Sequence, residues 1–147
     1  MKAVKFTVEH STYYLALNGA AMFEIRDRYG STTLLLEALE QDTGEGFKAA
    51  CEAAAVLAEQ GELVRRQFGY TAGEIPDAQT FALLVEPYRL GALKNAVIRA
   101  ITIGYGREIT APGDDEYDEG LAELHQKKHD YASRILPHSH TVRPLSA

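Results

Sequence analysis

The sequence predicts a mainly α fold with a short N-terminal β-hairpin (α+β): a compact helical domain followed by a flexible, partly helical C-terminal tail. Three observations carry this. Ala3 to Val8 alternates apolar and polar residues, with Val4, Phe6 and Val8 on one side and Lys5 and Thr7 on the other, as a half-buried strand does. Leu15 to Gly30 reads as a strand end, a capped helix and a helix stop, with Met22, Ile25 and Tyr29 at i, i+3 and i+7. Leu90, Leu93, Val97, Ile101 and Gly104 repeat at helical spacing.

In chain order, Glu9 to Thr12 is turn-compatible and Tyr13 to Leu17 is β-favouring, so the first two strands form a hairpin running into a helix. Two strands alone are marginal in water. The hairpin must therefore lie on a helix or pair with another chain, and its edge is a candidate contact surface. Asn18 caps the first helix by accepting from a free first-turn N–H. Phe23 lies beside the apolar stripe, Glu24, Arg26, Asp27 and Arg28 face solvent, and Gly30 ends the helix with a left-handed residue.

Ser31 caps a second helix, Thr32 to Glu40, with Leu35, Leu36 and Leu39 inside; Asp42–Thr43–Gly44 breaks it. Glu45 to Gln60 is a third helix whose Phe47, Ala50, Cys51, Ala54, Leu57 and Ala58 share a face. Its alanines make that face thin enough for a neighbouring helix to approach closely. Gly61 reads as a stop or kink, with a short helical continuation from Glu62 to Phe68 before Gly69. Tyr70 to Pro76 is a loop, and Asp77 caps a fourth helix with Phe81, Leu84 and Val85 inside. Pro87 opens the last helix, which runs to about Gly104 with Lys94 and Arg99 outside.

The domain, residues 1–109, is expected to end near Ile109. Residues 110–147 follow as an acidic Pro/Gly linker, APGDDEYDEG, a weak helix from Leu121 to Leu136 and a disordered end. No internal repeat is present.

Composition narrows the function. A net charge of −6 and a pI near 5.3 argue against nucleic acid as a partner, since phosphate binding draws on clustered Lys and Arg. One cysteine cannot form an internal disulfide. The N-terminus lacks an apolar leader, and no apolar run reaches the length of a membrane span. A cytoplasmic protein with no membrane association is the expectation.

Candidate chemistry is sparse. His125 and His129 stand at i, i+4, with His138 and His140 beyond, but two lysines lie between the first pair and no His-Glu-x-x-His motif is completed. They read as solvated tail histidines. The acids Asp114, Asp115, Glu116, Asp118 and Glu119 lack the ordered spacing of a calcium loop. Gly44-Glu45-Gly46 and Gly104-Tyr105-Gly106 complete no phosphate-binding fingerprint. Cys51 reads as a buried, inert thiol. The expectation is a non-enzyme with no catalytic residue, cofactor or metal.

Tyrosine combines an apolar ring with a polar tip and serves both core and interface. Tyr13, Tyr14, Tyr70, Tyr88 and Tyr105 are the candidate protein-interaction residues, with core capping as the competing role.

The hairpin followed by Leu15, Leu17, Asn18, Ala21, Phe23, Ile25, Tyr29, Gly30 and Ser31 resembles the tail assembly chaperones of long-tailed bacteriophages and prophages. The following helices fit the same plan, so the resemblance covers roughly residues 3 to 109. One departure is Asp27–Arg28, where many members carry an acidic residue late in the first helix. The resemblance implies binding of the tape measure protein and recruitment of tail tube protein in the host cell cytoplasm, with a possible homo-oligomer. It also implies that a frameshifted form with a C-terminal extension can exist. Two competitors remain. One is a small helical adaptor or transcriptional regulator using Arg89, Lys94 and Arg99; the other is a metal-dependent enzyme using the histidine-rich tail.

Overall fold

A computed structural model of the chain describes residues 1–107. Val4–Val8 (β1) and Ser11–Leu15 (β2) pair antiparallel, with Val4 opposite Leu15 and Val8 opposite Ser11. Helices α1 (Gly19–Tyr29), α2 (Thr32–Leu39), α3 (Gly44–Gln67), α4 (Ala78–Leu84) and α5 (Leu90–Gly104) follow, with a single 3-10 turn at Pro87–Arg89 before the last. The chain is thus mainly helical with an N-terminal hairpin. The expected acidic linker, Leu121–Leu136 helix, disordered end and boundary near Ile109 lie outside the described residues.

The second strand begins and ends two residues earlier than expected. Glu9 and His10 alone make the turn, with Glu9 in a left-handed backbone conformation at φ 55°, so Ser11 pairs directly with Val8. Beyond Leu15 the backbone leaves the ladder: the Ala16 N–H donates to the Leu57 carbonyl of α3 at 3.1 Å. The hairpin therefore lies on helices, β2 against α3 and β1 against α5. Its core face buries Val4, Phe6, Val8, Tyr13 and Leu15, the alternation expected of a two-faced ribbon.

Each expected cap forms. Asn18 accepts from the Ala21 N–H at 2.9 Å and donates through Nδ2 to Gln60 Oε1 at 2.9 Å, tying the start of α1 to α3. Ser31 accepts from Leu34, Thr43 from Gly46, and Asp77 from Thr80 in a reciprocal capping box. In α1, Ala21 and Ile25 are fully buried and Met22 and Tyr29 partly so. Phe23 is 57% exposed, because two residues from Ala21 along a helix is roughly the opposite face.

The third helix does not stop or kink at Gly61. It runs unbroken for 24 residues, and Gly61 is buried where α3 meets the backbone of Tyr14. A Cβ there would overlap the Tyr14 carbonyl. The glycine thus serves contact between elements, and at this point the close approach is made by a strand. Along the same helix Ala50, Cys51, Ala54, Leu57 and Ala58 are buried as expected and Phe47 partly.

Phe81 is the pin between hairpin and helices. Fully buried, it meets the Tyr13 ring edge-on at 5.6 Å and the Phe6 ring at 6.4 Å. Leu84, expected inside, is 42% exposed. The residue before a proline is driven to extended backbone, and Val85 and Glu86 both leave the helical region ahead of Pro87. In α5, Leu93, Ala96, Val97, Ala100 and Ile101 are buried, and Gly104 packs against Leu17.

Candidate protein-interaction surface

The most organised polar constellation sits at the C-terminal end of α3. The helix closes with Gly69 at φ +91°; the Gly69 N–H donates to the Arg66 carbonyl and the Tyr70 N–H to the Arg65 carbonyl. This pair of reversed bonds is a Schellman stop, and it folds Tyr70 back over its own last turn. Within that turn the buried Glu62 carboxylate accepts from Arg65 Nη1 at 2.8 Å, from Arg66 Nε at 3.0 Å and from the Gly73 N–H. Arg66 also donates to the Gly73 carbonyl at 2.9 Å and Arg65 to the Thr71 carbonyl at 3.3 Å. Burial pushes the Glu62 carboxyl up, but the Gly73 N–H and the two guanidinium groups outweigh it and hold the group below its ordinary value. The loop between α3 and α4 is fastened by this one carboxylate.

Above it the Arg65 guanidinium lies 5.5 Å from the Tyr14 ring centre and 5.7 Å from that of Tyr70. Beside the cluster is an open groove of about 360 Å³ whose walls include Ser11, Thr12, Tyr14, Glu62, Arg65 and Glu74. Tyr14 and Tyr70, both half-buried, are thus the two candidate tyrosines that the fold brings together.

The remaining three do not join them. Tyr13 is a core residue, 8% exposed, because its position in β2 faces Phe81; it is not available to a surface contact. Tyr88 is 79% exposed on the 3-10 turn. Tyr105, 41% exposed, shares a hydrogen bond of 2.8 Å with the Thr32 hydroxyl at the start of α2.

Sequence reasoning missed the companions of Tyr88. Leu83 is 71% exposed, and with Leu84 it ends α4 just before the turn that carries Tyr88. The signal was Pro87, which ends helical winding too early for Leu84 to be carried inward. Glu62 was missed too, although Glu62, Arg65 and Arg66 stand at i, i+3 and i+4, the spacing of helix ion pairs.

The reactive side chains are quiescent. Burial, reinforced by the neighbouring Glu52, pushes the Cys51 thiol up to about 11. Burial and a 2.7 Å hydrogen bond to Glu52 likewise raise the Tyr29 phenol, which stays protonated. Among the described residues no group of three or more His, Cys, Asp or Glu side chains is arranged to hold a metal ion, and no helix is long and apolar enough to cross a membrane. The tail histidines lie outside those residues. No protein-family model, curated protein or solved structure matches the chain.

Proposed function

We propose that this protein is a non-catalytic tail assembly chaperone of a long-tailed phage or prophage, binding the tape measure protein and recruiting tail tube subunits. The observation that carries the binding part of this reading is the exposed apolar run at the end of α4, Leu83, Leu84 and Tyr88. Large apolar side chains concentrated on one stretch of surface suit contact with apolar segments of another protein. The family part rests on the hairpin, Asn18 cap, Ile25 stripe, Gly30 stop and Ser31 cap, which are the residues of the resemblance. Phe23, another of them, is a surface residue and is counted on the binding side.

The helical regulator reading is the weaker one. Of its three basic residues, Arg89 donates to the Thr7 carbonyl at 2.9 Å and stacks on Phe6, and Lys94 donates to the Gln41 carbonyl at 3.2 Å. Side chains engaged within the fold are poorly placed to read phosphates.

The test is co-expression with the large helical protein encoded nearby, followed by affinity capture and light scattering. Co-purification that keeps the large protein soluble is expected. Leu83→Asp with Tyr88→Ser should cut capture at least tenfold while the melting temperature moves by no more than a few degrees. A soluble chain that never captures the large protein overturns the reading.

A further inference from the structure

A second groove, of about 530 Å³, lies where the end of α5 meets the start of α2. Arg26 and Arg107 line it together with the hydroxyl-bearing Ser31, Thr32, Thr33 and Tyr105, and no carboxylate is among its lining residues. Arg107 is placed there by a second Schellman stop. Gly106 takes φ +80° and donates to the Ile103 carbonyl, and the Arg107 N–H donates to the Thr102 carbonyl at 3.2 Å, turning the chain back at the rim. Arg26 is held over the Phe23 ring at 5.5 Å. Two guanidiniums and four hydroxyls make this a site for carboxylates.

The chain carries a matching segment. Seven residues beyond Arg107 begins the run Asp114, Asp115, Glu116, Asp118, Glu119, and no Lys or Arg occurs between 108 and 126. We propose that this acidic run docks in the Arg26–Arg107 groove as an intramolecular cover. Seven residues reach up to about 23 Å when extended, ample to return to a groove that borders Arg107 itself. So short a tether supplies an effective concentration on the order of millimolar, so weak individual ion pairs suffice. Binding through exposed charges is salt-sensitive, since screening sets in over about 10 Å at 0.1 M. The proposal stands apart from the chaperone reading, because the groove and the run are intrinsic to this chain.

The experiment uses the full chain with Cys51→Ala and Tyr117→Cys, a nitroxide on the new thiol, and amide spectra of the folded part at 20 mM salt. The Thr32 and Thr33 signals should lose at least half their intensity, and recover it at 0.5 M salt and in Arg26→Glu with Arg107→Glu. Neutralising Asp114, Asp115 and Glu116 to their amides, which leaves the folded part untouched, should weaken the broadening at least threefold. Broadening unchanged by either set of substitutions overturns the proposal. So does broadening seen only between differently labelled molecules, which would place a second copy in the groove. Shifts at Thr32 and Thr33 with inorganic phosphate alone, without broadening from the label, would give the groove to a free anion and equally overturn it.

Discussion

Gly61 is packed so closely beneath the carbonyl of Tyr14 that helix α3 and strand β2 meet there backbone to backbone. One turn earlier the Leu57 carbonyl receives the Ala16 N–H. The two contacts dock the hairpin on the long helix at a separation that a β-carbon would forbid.

Gly61→Ala should therefore cost about 3 kcal/mol, the upper part of the range for overpacking, as measured by urea denaturation. Gly44, at the start of the same helix, has open space around its Cα. Gly44→Ala should be neutral or stabilising by about 0.5 kcal/mol through reduced backbone entropy of the unfolded chain. Equal effects at the two sites would remove the steric account of Gly61.

Glu62 should set part of the acid limb of stability. Its folded-state pKa is depressed, so its contribution is fully present above the unfolded value near ~4.3 and is lost as pH falls through the folded value. Glu62→Gln should flatten that limb and cost about 2 kcal/mol at pH 7, where two guanidiniums lose a charged acceptor. It should also loosen the loop at Thr71 and Gly73, read as faster amide exchange there. An acid limb identical in the variant would show that the carboxylate is not the fastener.

How far the sequence spoke depends on whether a feature was local. The caps Asn18, Ser31, Thr43 and Asp77 and the stop at Gly30 act within one turn of their own helix, and their residue types carried them into view. Thr43 alone was read as part of a helix break where it is a cap. Gly61 misled because a glycine in a helical stretch signals a stop locally, whereas its reason lies in Tyr14, far along the chain. The tyrosines were ambiguous for the same cause: whether Tyr13 faces inward follows from strand register and from Phe81, neither visible at Tyr13 itself. The exposed Leu83–Tyr88 run was legible in part through Pro87.

The hairpin turn carries strain that a substitution can relieve. Glu9 is the one described non-glycine residue with positive φ, a conformation costing about 1–2 kcal/mol for a residue with a β-carbon. Its side chain is exposed, so little packing is lost on removing it. Glu9→Gly should raise stability by up to about 1 kcal/mol, net of the entropy glycine adds to the unfolded chain. A loss of stability would mean that Glu9 makes a favourable contact outweighing its backbone strain.

Cys51 gives a probe of the whole fold. Burial comes first and the Glu52 carboxylate second in raising the thiol from its ordinary 9.0 to about 11, which lowers the thiolate fraction at pH 8 by about a hundredfold. Only the thiolate reacts with a disulfide reagent, and in the native state the reagent must also reach a side chain packed among alanines of α3. Labelling of the native protein at pH 8 should therefore be at least a hundredfold slower than in 6 M urea. Its rate should follow the opening of the core: Gly61→Ala and Glu62→Gln should accelerate it, whereas Leu83→Asp, on the surface, should leave it unchanged. Rapid native labelling would place the thiol outside the core and contradict the packing of α3 against its neighbours.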